Sequence, residues 1–228
     1  MRQTSARQLL DGWDTVRGEA MPVRAAALAA LGSGVPCADV MQWSVARRDR
    51  ALFDLRARLF GDAVDATVGC PSCAEQLEMT LALSQLRPDD DMPASMWREV
   101  LVDGVPVPCR MPTSDDLVAI AACGDVPAAR ALLLAACIGA ADPQQRELAA
   151  ALLASEPTDV QLAMRCPACG HEWQAPFDIA LFVWNELDEW ARSTLRDIHV
   201  IASAYGWSED EILRLPARRR AAYIEMIR

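Results

Sequence analysis

The chain has 228 residues, 52% hydrophobic and 24% charged, with a formal net charge of −10. That length can bury a substantial core in one or two domains, and the composition is that of a globular protein rather than a disordered or fibrous one. The acidic balance disfavours nucleic acid as a partner, since such binding relies on neutralising phosphates with a basic surface.

No run reaches the roughly 18 apolar residues that a membrane span requires. Residues 1–7 are not followed by the apolar stretch of a signal peptide. The expected location is therefore the cytoplasm, without a membrane partner. All 22 positive charges are Arg.

In chain order, residues 23–31 are rich in Ala and Leu and predict a short helix ended by Gly32-Ser33-Gly34. Ser44 can cap a helix running to Phe60, with Leu52, Leu55 and Leu59 on one face and Gly61 as its stop. Arg47, Arg48, Arg50, Arg56 and Arg58 would form its solvated side. From Ala63 the period changes to two: Val64, Ala66 and Val68 alternate into Cys70-Pro71-Ser72-Cys73, and Leu77, Met79, Leu81 and Leu83 alternate out. Residues 87–93 read as a polar, proline-bounded linker, in which Asp89-Asp90-Asp91 is most simply solvated. Val100, Val102, Val105 and Val107 flank Asp103-Gly104, the sequence of a tight hairpin turn, and Pro106 and Pro108 make the second arm an edge strand.

Thr113 or Ser114 opens a helix to about Ala122, with Asp115 and Asp116 in its first turn. Two Ala-rich helices follow, over 127–138 and 143–154, each with proline at its start. Val160, Leu162 and Met164 then lead into Cys166-Pro167-Ala168-Cys169, and Gly170-His171-Glu172-Trp173 leads out. One apolar stripe (Val183, Leu187, Trp190, Ile198, Ile201, Tyr205) predicts a long helix over 178–205, stopped by Gly206. Ser208 and Glu211 form a capping box, and Pro216 starts a final helix that carries Arg218-Arg219-Arg220.

The two Cys-Pro-x-Cys pieces are near copies, each set between period-two segments, and together they supply the four thiolates of a closed tetrahedral zinc site. Cys70, Cys73, Cys166 and Cys169 are the candidate ligands of one structural Zn2+. Packed, reduced thiols without metal are the plain alternative. Thioredoxin-type redox chemistry needs one such pair at a helix N-terminus, whereas strand follows both pairs here. A catalytic zinc needs an open coordination position, which four sulfurs deny. His171 could replace a sulfur but reads as an exposed residue, and His199 has no assigned role. Cys37, Cys109, Cys123 and Cys137 lack paired spacing, and Cys123 and Cys137 are expected to be small buried hydrophobes. With no Ser/His/Asp or Cys/His constellation and no phosphate-cradling glycine loop, no catalytic residue and no small-molecule substrate are assigned. Arg218, Arg219 and Arg220 are either a solvated face or a docking surface for an acidic partner.

The phrase Leu52-Phe53-Asp54-Leu55-Arg56-Ala57-Arg58-Leu59-Phe60-Gly61-Asp62, followed by a strand into Cys70-Pro71-Ser72-Cys73, resembles the baseplate hub assembly chaperone family of T-even-type phages. Arg110-Met111-Pro112-Thr113 at a helix start fits, as does the ending Trp207-Ser208-Glu209-Asp210-Glu211-Ile212-Leu213 with Pro216 and an Arg-rich helix. The likeness covers about half of the chain, mostly 47–83 and 158–226. Ala74 stands where that family often has glycine. The resemblance implies a non-catalytic role in assembling a contractile tail or injection machine, with baseplate or tail proteins as partners and a place in the cytoplasm or in a phage-like particle.

The expected fold class is thus mainly α with a small β component (α+β): a helical protein with one discontinuous four-cysteine zinc ribbon made of two β-hairpins. Its expected parts are a helical segment 1–62, a split ribbon 63–83 plus 158–177, an inserted hairpin and helices 84–157, and C-terminal helices 178–228. The leading function is protein–protein. The alternative is a nucleic-acid-binding zinc-ribbon regulator acting through the basic C-terminal residues.

Overall fold

A computed structural model of the chain describes residues 5–87, 97–154 and 160–227. The fold is mainly helical, with three separate two-stranded antiparallel hairpins. It divides into two compact units, one formed by residues 20–180 and one by residues 1–19 with 181–228. The 87–93 linker lies outside the described residues from 88 onward, as do Asp89, Asp90 and Asp91.

The 20–180 unit begins with helix α2 (Met21–Ser33), a short α3 (Cys37–Met41) and α4 (Val45–Phe60). The Ser44 hydroxyl accepts from Arg47 N, and Gly61 ends α4 at φ +88°. Small residues on α2 (Ala25, Ala26, Ala29) are fully buried with Leu28, Leu52 and Leu55, so the helices approach closely. At Gly32 an added Cβ would lie 3.2 Å from the Leu55 Cβ.

The arginines of α4 depart from the expected solvated side. Arg48 and Arg56 are each only 4% exposed. Arg48 donates to Asp49 Oδ1 and to the Ser114 hydroxyl. Arg56 donates through Nη1 to Gly61 O at 2.5 Å and Ala63 O at 2.7 Å. Charged side chains are buried only when their hydrogen bonds are met, and here they fasten the end of α4 to the strand that follows.

That strand, β1 (Ala63–Gly69), pairs with β2 (Gln76–Ala82). Val64 faces Leu81, Ala66 faces Met79 and Val68 faces Leu77, so one side of the hairpin is apolar. Leu83, expected to end the strand, instead opens the single-turn helix α5 (Leu83–Leu86). Asp62 closes the hairpin base: its carbonyl accepts from Leu83 N and its carboxylate from Ser84 N and Oγ. Next come β3 (Arg98–Val102) and β4 (Val105–Cys109), joined by Asp103 and Gly104 at φ +49° and +79°, as a primed two-residue turn requires. Pro106 and Pro108 pair with Leu101 and Glu99. The outer edge of β4 is closed by Gly139 N donating to Pro108 O and by Arg110 N donating to Cys137 O.

Helix α6 (Ser114–Ala121) has a complete capping box between Thr113 and Asp116. Helices α7 (Val126–Cys137) and α8 (Pro143–Ala154) contribute Cys137 and Ala149 to a small core with Val102, Val107, Cys109 and Ile138. Their outer faces stay open at Leu132, Leu148 and Leu152. The last hairpin, β5 (Val160–Arg165) with β6 (Glu172–Phe177), repeats the first: Val160 faces Phe177, Leu162 faces Ala175 and Met164 faces Trp173. The Phe177 ring lies 6.2 Å from that of Phe53, so α4 touches the second hairpin as well as holding the first.

In the other unit, α1 (Ala6–Val16) starts at a Ser5–Gln8 capping box and buries Leu9, Leu10, Trp13 and Val16. The Trp13 indole N–H donates to Asp188 on α9 (Ile179–Tyr205) at 2.9 Å. Helix α10 (Glu209–Leu213) carries the expected Ser208–Glu211 capping box, and α11 (Ala217–Ile227) follows.

Candidate metal centre

Both cysteine turns close in the same way. Cys70 N donates to Glu75 O at 2.8 Å and Ala74 N to Cys70 O at 2.9 Å; Cys166 N donates to His171 O and Gly170 N to Cys166 O, each at 2.9 Å. The residue after each second cysteine is left-handed, Ala74 at φ +62° and Gly170 at φ +73°. This turn rolls the chain back into the next strand while leaving both sulfurs of a knuckle on one side. Each knuckle presents one buried cysteine, Cys70 or Cys166, and one exposed, Cys73 or Cys169.

The four ligand atoms come together. All four Sγ atoms lie within 4.8 Å of one another. Across the knuckles Cys70 and Cys169 are 3.7 Å apart, and Cys73 and Cys166 3.6 Å. A disulfide would hold its sulfurs at about 2.05 Å. A tetrahedral ion with thiolates at about 2.3 Å sets the sulfurs about 3.8 Å apart. The observed cross-knuckle spacings match a ligand shell and not a bond.

The Glu75 N–H favours the Cys73 thiolate, but the Cys169 thiol, desolvation, and the thiols of Cys166 and Cys70 together push Cys73 up to about 12. A divalent ion reverses that balance, because metal ligation deprotonates thiols. The cluster is a four-sulfur site able to hold a metal ion.

The remaining candidates fall elsewhere. His171 is exposed and stacks on Trp173 at 5.8 Å between centroids, outside the sulfur cluster. His199 is exposed on α9. Cys137 is buried as expected, and burial pushes its thiol up to about 11; Cys123 is only half-buried. Arg220 corrects the idea of a three-arginine face: it is 5% exposed and donates to Leu215 O, whereas Arg218 and Arg219 are exposed. Arg56, Asp62 and Ser84, which fix the first hairpin, carried no signal in the sequence, because each acts through contacts that only the folded turn creates. No helix among the described residues is long and apolar enough to cross a membrane.

Comparison with protein-family models, with curated proteins and with solved structures gives no match to this chain.

Proposed function

We propose that Cys70, Cys73, Cys166 and Cys169 hold one structural Zn2+, joining the two hairpins into a split zinc ribbon. The chain then acts without catalysis, through protein–protein contacts, in the assembly or structure of a phage-like contractile tail or injection-system baseplate. The observation that carries the metal reading is the convergence of four thiols from two knuckles with the same closing hydrogen bonds, at ligand-shell spacing. Four sulfurs leave no open position for water or substrate, which supports a structural over a catalytic ion. The resemblance of residues 47–83 and 158–226 to baseplate hub assembly chaperones supports the setting.

Such an ion contributes folding free energy, on the order of 10 kcal/mol in small zinc domains. It ties Cys70 to Cys169 across a long stretch of chain and so secures everything between them. The test is affinity purification of the tagged chain from its own cells. Sheath, tube or spike proteins are expected to co-purify. Recovery of the chain alone, or with nucleic acid in their place, would reject the assembly role.

A further inference from the structure

The three consecutive arginines at the head of α11 do different things. Arg220 is packed: its Nη1 donates to Leu215 O at 3.0 Å and its Nε lies 3.9 Å from Asp197. Arg218 and Arg219 are exposed, and neither takes part in an ion pair or ring contact among the described residues. Both stand in the first turn of an 11-residue helix, where the positive end of the helix dipole disfavours cations. By contrast Asp115 and Asp116 open α6 and Glu209, Asp210 and Glu211 open α10, and the arginines in the first turns of α1 and α4 have partners within the chain, Arg7 with Asp210, Arg48 with Asp49 and Arg47 over the Trp43 ring. Residues that break such a rule without an internal partner are expected where function outweighs stability.

A second feature adjoins them. Tyr205, Trp207 and Tyr223 form a cluster with ring centroids 5.2, 5.6 and 5.0 Å apart. Arg219, Tyr223 and Met226 fall at i, i+4 and i+7 and so share one stripe of α11. Met226 is 73% exposed and Tyr205 40%. Arginine, aromatic residues and Met are the types enriched in protein interfaces.

We propose that this surface docks an acidic segment of a partner protein that also carries an apolar anchor. Carboxylates meet the free guanidinium groups of Arg218 and Arg219, and the anchor lies against Tyr205 and Met226. Charge complementarity decides the occupant: two exposed cations without an ion-pair partner among the described residues call for a pair of carboxylates, whereas a polyphosphate backbone needs a broader basic patch than they make. The inference rests on reading the chain as a protein–protein component.

The probe is a short fluorescein-labelled peptide of Glu residues around a central Leu-Trp pair, titrated with the full metal-loaded chain and read by anisotropy. Arg218→Glu/Arg219→Glu is expected to weaken binding at least about tenfold while leaving the melting temperature equal or higher, because carboxylates suit a helix N-terminus. Tyr205→Ala is expected to weaken it about threefold without changing its salt dependence. No binding by the wild-type chain, binding indifferent to the charge reversal, or tighter binding of single-stranded DNA through the same arginines would each overturn the proposal. Tail proteins that still co-purify when the peptide fails to bind would remove this surface and leave the assembly role standing.

Discussion

Ala74 and Gly170 occupy equivalent positions in the two knuckles, at φ +62° and +73°. A Cβ added at Gly170 would meet nothing within 4 Å, so exchanging the residues perturbs the backbone alone. A left-handed conformation costs an L-residue roughly 1–2 kcal/mol. Against that, glycine gives the unfolded chain extra freedom worth roughly 0.4–1 kcal/mol. The strain is the larger effect, so Ala74→Gly should stabilise by roughly 0.5–1 kcal/mol and Gly170→Ala should destabilise by a similar amount. For a unit of this size that is a shift of roughly 2–4 °C per kcal/mol. Thermal melts followed by circular dichroism, at one fixed excess of zinc because bound ligand moves the transition, would read it. A lower melting temperature for Ala74→Gly, or an unchanged one for Gly170→Ala, would refute the assignment of equivalent left-handed knuckles.

Cys166→Ser should leave a largely unfolded or aggregating protein, whereas Cys37→Ser, at a half-buried position outside the cluster, should be nearly neutral; equal melts for the two variants would contradict this. Asp116 accepts two bonds from Arg110 at 2.6 and 2.9 Å and a third from Thr113 N at 2.8 Å. Burial alone would raise its pKa, but Arg110 and Thr113 outweigh burial and hold the carboxyl below its usual range. Its stabilising contribution is therefore full above the unfolded pKa near 4 and is lost as pH falls through the lower folded value. Asp116→Asn should cost roughly 1.5–3 kcal/mol at neutral pH, with the gap to wild type closing on acidification; denaturant melts across that range would show it, and a gap independent of pH would refute the pairing.

Much of this architecture was legible where local chemistry and burial agree. Ser44 and Gly61 bound α4, Asp103-Gly104 turns β3 into β4, and alternating residues flank both cysteine pairs as read. Helix α1 is not legible in the sequence although Ser5 and Gln8 spell a capping box, because Asp11, Gly12 and Asp14 obscure the stripe of Leu9, Trp13 and Val16. Helices α3 and α5 are too short to show a period; α5 starts where the Asp62 carboxylate accepts from Ser84 N across 22 residues. The arginines were harder still. Arg48 and Arg56 look like any solvated cation in sequence, and only the carbonyls and carboxylate that meet them in the fold explain their burial. The four cysteines were named from spacing alone, since a two-residue spacer repeated twice is a local pattern with a chemical requirement behind it. Their convergence, with one buried and one exposed thiol in each knuckle, needed the fold.

The central claim is a four-thiolate zinc clasp. Metal quantification of the purified chain, combined with X-ray absorption at the zinc edge, tests it most directly. One zinc per chain in a shell of four sulfurs at about 2.3 Å is the expected result. A substoichiometric metal content after refolding with zinc, or a shell containing nitrogen or oxygen ligands, would contradict it.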